Sequence, residues 1–272
     1  MRIPLKQSLG NVLNFMKISL FFLTVFFFIT LPKALSQSVS VQHNQILRGA
    51  SIDVSLQINY AVKQLKATLQ DEDYVINDQQ PDFVIQLAVD SLSLDAEAFS
   101  IAAEGNEIRV TGGDGRGIIY GSLALAEELQ QGISLASIKA QEENPNLAFR
   151  AIKFNLPWDT YRHSFALDQH YETCRDVNFW RSFLDMMAEN RFNALTLWNL
   201  HPFPFMIKPN NFPKASPFTD QEMQEWKTLY TSIFGMAKER GIDTYIVNWN
   251  IFVSPKFAKA HNVAMDNLQH DI

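Results

Sequence analysis

The chain has 272 residues, 47% of them hydrophobic, enough to bury one large core or two ordinary ones. A net charge of −6 with 19% charged residues leaves no basic face of the kind that nucleic acids require. The single cysteine, Cys174, excludes an internal disulfide framework and a cysteine-based metal site, so packing alone must stabilise the fold.

Residues 1–36 read as a secretory signal peptide. Arg2, Lys6 and Lys17 form the basic region, and the apolar run ISLFFLTVFFFITL (18–31) is short for a bilayer span. Pro32 ends it, and Ala34-Leu35-Ser36 is a small-x-small cleavage site. The alternative is an uncleaved membrane anchor. The expected location is the periplasm or the outside of the cell, with no membrane contact after cleavage.

Residues 38–148 read as a small α+β domain. Ile58, Val62, Leu65 and Leu69 recur at helical spacing. Residues 83–89 (FVIQLAV) carry the β-branched content of a strand, and 96–103 with 107–111 form a hairpin around Glu104-Gly105-Asn106. The run Gly112-Gly113-Asp114-Gly115-Arg116-Gly117 then leads into a helix that ends near Gly132. It is no phosphate cradle of the Walker type, since no Lys-Ser or Lys-Thr follows, and Tyr120 stands where G-x-G-x-x-G needs its last glycine. A tight strand-to-helix turn is the expectation. The order is helix, three strands, helix, with the helices on one face of a sheet.

Residues 149–272 change to strand–helix alternation. Strands are expected at 151–155, 193–198 and 242–249. The helix between the first two carries Phe179, Trp180, Phe183, Leu184 and Met187 behind an Asp176 cap. The next opens with the capping box Thr219-x-x-Glu222, carries Met223, Trp226, Tyr230, Ile233 and Ala237, and stops at Gly241. This is the opening of a parallel βα series. The expected fold is therefore an α+β N-terminal domain followed by the first βα units of a (β/α)8 TIM barrel, incomplete because such a barrel takes about 250 residues. A smaller open α/β sheet is the alternative.

In a barrel, chemistry gathers after the C-terminal ends of the strands. Those segments hold Asn155, Trp158, Asp159 and Arg162; then Trp198, Asn199 and His201; then Asn248, Trp249 and Asn250. A tryptophan beside an asparagine recurs at all three. An indole face can carry the C–H face of a sugar, and an amide can donate to and accept from its hydroxyls. The acidic residues lie elsewhere: Asp185 and Glu189 on the first helix, Glu222, Glu225 and Glu239 on the second, Asp243 at the start of the third strand. Only Asp159 follows a strand end, so the carboxylate pair that glycoside hydrolysis needs is not visible. No histidine spacing suggests a metal, no cofactor is expected, and Cys174 lacks the setting of a nucleophile.

The segment GRGIIYGSLALAEELQ (115–130) resembles the closing helix of the small domain that precedes the barrel in alpha-glucuronidases and β-hexosaminidases. IKFNLPWDTYR (152–162), ENRFNALTLWNLHPFPFMI (189–207) and YIVNWNIF (245–252) are similar to the first barrel strands of alpha-glucuronidase-like proteins. The resemblance implies an exported glycoside hydrolase acting on polysaccharide, with its catalytic carboxylates on later strands. It also implies that Trp158, Arg162, Trp198, Asn199, His201, Asn248 and Asn250 line a sugar subsite; from charge alone, Arg162 or His201 is expected to pair with the carboxylate of a uronic acid. A carbohydrate-binding protein without hydrolytic activity is the rival expectation.

Overall fold

In a computed structural model, residues 36–43, 52–158, 164–199, 202–248 and 255–262 are described, and residues 1–35, where an export signal is expected, lie outside them. Two sheets organise these residues. The first has six strands in the order β2-β1-β3-β5-β4-β6. They are β1 (Ser38–His43), β2 (Val75–Ile76), β3 (Phe83–Val89), β4 (Phe99–Glu104), β5 (Glu107–Gly112) and β6 (Gln141–Glu143). β2, β1, β3 and β5 run parallel; β4 and β6 run antiparallel to their neighbours.

Helices α1 (Ile52–Asp71) and α2 (Gly115–Gln130) cover one face of this sheet. The stripe of Ile58, Ala61, Leu65 and Leu69 is buried against Ile85, Leu87, Ile108 and Val110, which alternate along their strands as a half-buried sheet requires. The glycine-rich run is the tight turn from β5 into α2. Asp114 caps the helix, its carboxylate accepting from the Gly117 amide at 2.8 Å. A Cβ at Gly112 would strike the Ile118 amide, and one at Gly117 would strike the Ala98 carbonyl, so side chains are excluded there.

The second sheet has three parallel strands in the order β7-β8-β9. These are β7 (Ala151–Asn155), β8 (Ala194–Asn199) and β9 (Asp243–Asn248). α5 (Val177–Glu189) joins the first two and α6 (Asp220–Glu239) the last two. Asp176 caps α5, and Thr219 with Glu222 closes the expected capping box on α6. Gly241 turns the chain out of α6 at φ +67, a left-handed position that suits glycine. Trp180, Leu184, Met187, Ile233 and Ala237 of the helices pack on Leu195 and Leu197, forming a second core. The result is a parallel, barrel-like βα arrangement. From Ser38 onward the sheets and their helices form one compact unit.

Several elements differ from the expectation. A strand, β1, precedes α1. Its pattern is hidden by polar Ser40, which is wholly buried and donates to Asp78 at 2.8 Å. The segment between β7 and α5 carries two short helices, α3 (Phe165–Gln169) and α4 (Tyr171–Arg175). A further helix, α7 (Pro255–His261), follows β9. All three are too short to show a periodic apolar stripe.

Charged groups join the two sheets at the N-terminal ends of β7, β8 and β9. Glu97, only 7% exposed, sits at a left-handed φ of +68, unusual for a side chain of its size. Its carboxylate accepts from Arg116 at 2.9 Å, Arg150 at 2.5 Å and the Asn193 amide at 2.9 Å. Arg150 immediately precedes β7 and Asn193 precedes β8. Arg116 also pairs with Asp243, the first residue of β9, at 2.7 Å. One buried carboxylate and one arginine thus tie the starts of all three strands to the elements of the first sheet. Burial alone would raise the Glu97 carboxyl, but the hydrogen bonds from Arg150, Asn193 and Arg116 outweigh it and hold the group below its ordinary value. Nearby Tyr120 is pushed up to about 12 by burial and by the Glu97 charge.

A second polar cluster links α1, α5 and α6. Arg240, 5% exposed, reaches Asp185 at 2.7 Å and lies over the Tyr60 ring at 4.8 Å, while the Tyr60 hydroxyl donates to Asp185 at 2.9 Å. Burial, followed by the Asp185 charge, raises the Tyr60 hydroxyl far above the usual tyrosine range.

Candidate functional site

Alternation along the second sheet sorts its side chains between two faces. Ile152 and Phe154 of β7, and Leu195 and Leu197 of β8, pack toward the helices. Lys153 and Asn155 therefore share the opposite face with Thr196 and Trp198 and with Tyr245 and Val247 of β9. In register these form rows: Lys153, Thr196 and Tyr245; then Asn155, Trp198 and Val247, one step nearer the C-terminal ends. Tyr245 is 46% exposed, and the Lys153 ammonium stands 3.7 Å from the centre of the Trp198 ring. This face, at the strand ends where barrel enzymes place their chemistry, is the candidate site.

The residues expected from sequence distribute unevenly. Trp198 is on this face and half-buried. Asn199 is buried at the last residue of β8, paired in register with Asn248, the last residue of β9. Asp159, Arg162, His201, Trp249 and Asn250 lie outside the described residues.

Trp158 is a correction. It is 3% exposed, packs at 4.8 Å from Trp226, 6.1 Å from Tyr171 and 6.3 Å from Phe205, and donates its indole N–H to the Tyr230 hydroxyl at 3.3 Å. No face of the ring is open to a sugar. The chain turns after Pro157, and that turn carries the ring onto the helix side, where α6 supplies an aromatic pocket.

Lys153 was not anticipated. The signal was present in AIKFN: with Ile152 and Phe154 assigned to the helices, strand alternation puts Lys153 beside Asn155.

Most described carboxylates of the βα region have structural partners. Asp185 holds Arg240 and Tyr60, Glu222 closes the α6 cap, Glu225 meets Arg175 at 3.4 Å, and Asp243 holds Arg116. Glu189 is raised by burial and by the charges of Asp185 and Glu127, but it lies on α5 at the N-terminal end of β8, away from the candidate face. Cys174 is buried, and burial pushes its thiol up to about 11, so it is protonated at neutral pH and a poor nucleophile. Among the described residues no group of histidine, cysteine and carboxylate side chains could hold a metal ion, and no helix is long and apolar enough to cross a membrane.

No protein-family model and no curated protein matches the chain. Solved structures do. The chain is similar to a GH138 enzyme targeting pectin rhamnogalacturonan II, with 26% identity, a TM-score of 0.72 and coverage of 85% of this chain and 27% of that one. It is also similar to a β-N-acetylhexosaminidase from Bacteroides fragilis (15% identity, TM-score 0.47, 78% of this chain and 40% of that one). A third likeness is to a GH20 exo-β-N-acetylglucosaminidase from Vibrio harveyi (11% identity, TM-score 0.47, 78% and 32%). The chain thus spans about a quarter of the length of the GH138 enzyme. On that match, the fold of the small sheet, its helices and the parallel βα series is glycoside-hydrolase-like.

Proposed function

We propose that this chain belongs to an exported glycoside hydrolase of complex plant polysaccharide, with pectin rhamnogalacturonan II as the substrate class to test first. The observation that carries this is the likeness to the GH138 enzyme over 85% of the chain. The strand-end residues are consistent with a sugar subsite: Asn155 and Trp198 lie on the open face, Asn199 and Asn248 end their strands, and Asp159, Arg162, His201, Trp249 and Asn250 follow the strands in sequence. Arg162 or His201 would meet the carboxylate of a uronic acid through a charge-assisted hydrogen bond. The acid and the base or nucleophile would come from further βα units, because most of the described carboxylates of this region are committed to caps and ion pairs. The segment 1–36 would direct export and be removed.

Residues 37–272 titrated with rhamnogalacturonan II oligosaccharides, by calorimetry and by product analysis, should show binding without bond cleavage. Turnover by this chain alone would overturn the assignment of catalysis to other units. Failure to bind any pectic oligosaccharide would overturn the substrate class.

A further inference from the structure

Lys153 is the one cation within β7, β8 and β9, and it is exposed. It lies in the row of Thr196 and Tyr245, yet its ammonium stands 3.7 Å from the centre of the Trp198 ring, one row nearer the C-terminal ends of the strands. The indole attracts a cation at that range, and the contact carries the charge toward the end where barrel proteins meet their ligands. A ring offers no lone pair, so it leaves the three N–H donors of the ammonium unused. Among the described residues Lys153 meets no carboxylate and no hydrogen-bond acceptor. Alternation puts one acidic residue of the three strands on the same face, Asp243 in the first row, and Arg116 holds that carboxylate at 2.7 Å. The exposed Asn155 amide and the Tyr245 hydroxyl share the face with Lys153 and carry no charge of their own. One cation among neutral hydrogen-bonding groups suits an acidic sugar, the neutral groups meeting hydroxyls and the cation meeting a carboxylate. With a net charge of −6, the chain as a whole does not attract a polyanion, so recognition of one needs a local cation.

We propose that Lys153 is a specificity-determining residue that pairs with the carboxylate of a uronic acid in the glycan. This rests on the carbohydrate-site reading given above and names a residue for its acidic group. That reading gives the carboxylate to Arg162 or His201 on charge alone, whereas Lys153 is a cation whose place on the open face is described. The ammonium donates a charge-assisted hydrogen bond to a carboxylate oxygen and keeps the Trp198 ring beside it.

The test compares rhamnogalacturonan II oligosaccharides with the same oligosaccharides after chemical reduction of their carboxylates to hydroxymethyl groups, by calorimetry on residues 37–272. The wild type should bind the native form about tenfold more tightly than the reduced form, by a margin that shrinks as salt rises. Lys153→Met should bring the two affinities within about twofold of each other. Its affinity for the reduced form should stay that of the wild type, which also reports that the variant is folded. Lys153→Arg should keep the preference and Lys153→Glu should reverse it. Lys63→Met, which removes an exposed charge from α1, should leave it intact. Binding of both forms without preference in the wild type overturns the inference and leaves the carbohydrate reading standing. A preference that survives Lys153→Met does the same and returns the carboxylate to Arg162 or His201. An equal loss for both forms in Lys153→Met, or an equal fall in preference in Lys63→Met, also overturns the inference alone. Binding of neither form by the wild type overturns both.

Discussion

The two ends of the three-strand parallel sheet are built on opposite principles. At the N-terminal ends, Arg150, Asn193 and Asp243 are each engaged, directly or through Arg116, with Glu97, which precedes β4 of the first sheet. At the C-terminal ends, the open face carries Lys153, Asn155 and Trp198, with the Lys153 ammonium over the Trp198 ring. Saturated pairing in a buried place holds elements in register. Polar and aromatic groups on an open face are available to a ligand. The contrast gives stability to the N-terminal ends, and the proposed function gives recognition to the other, as βα barrels generally divide them.

The largest expected break comes at Glu97. Glu97→Ala removes a nearly buried carboxylate and leaves Arg116 and Arg150 facing each other, so urea unfolding should show a loss of about 3–5 kcal/mol. Asp185→Ala should follow at about 2–3 kcal/mol, because Arg240 stays buried without its carboxylate and Tyr60 loses its acceptor. The Glu97 cluster also sharpens the contrast through pH. Because its carboxyl is held low in the folded protein, it contributes stability above the ordinary glutamate value near 4.5, and that contribution is lost as pH falls through the folded value. Unfolding free energy should therefore drop more steeply below pH 4.5 in the wild type than in Glu97→Gln. At the other end, Trp198→Ala should cost no more than about 2 kcal/mol, since the ring is only half-buried, while removing most of the sugar affinity. Smallest of all, Arg109→Ala breaks an exposed pair with Glu107 and should stay within about 0.5 kcal/mol. An effect at Trp198 as large as that at Glu97 would erase the division between the ends.

Long, periodic elements were legible in the sequence, and short or polar ones were not. The stripes of α1, α5 and α6, the cap at Asp176 and the capping box at Thr219 state their structure locally, since spacing and hydrogen-bonding chemistry are both written in the residues. β1 was missed because Ser40 finds its partner, Asp78, only in the folded chain. Trp158 was misread for a related reason. Position after a strand suggested the open mouth, but the turn after Pro157 carries the ring to the helix side, where Trp226 and Tyr230 await it from about seventy residues later. The Glu97 cluster is non-local altogether: nothing around residue 97 announces that Arg150 and Asn193 will converge on it. Lys153 was within reach, because strand alternation places it on the open face without any tertiary information.

The most direct test is amide hydrogen exchange of residues 37–272 with and without rhamnogalacturonan II oligosaccharides. New protection at the C-terminal ends of β7, β8 and β9, around Asn155, Trp198 and Asn248, is the predicted result. Protection confined to the N-terminal ends near Arg150, Asn193 and Asp243, or to the six-stranded sheet, would contradict the division of labour between the two ends.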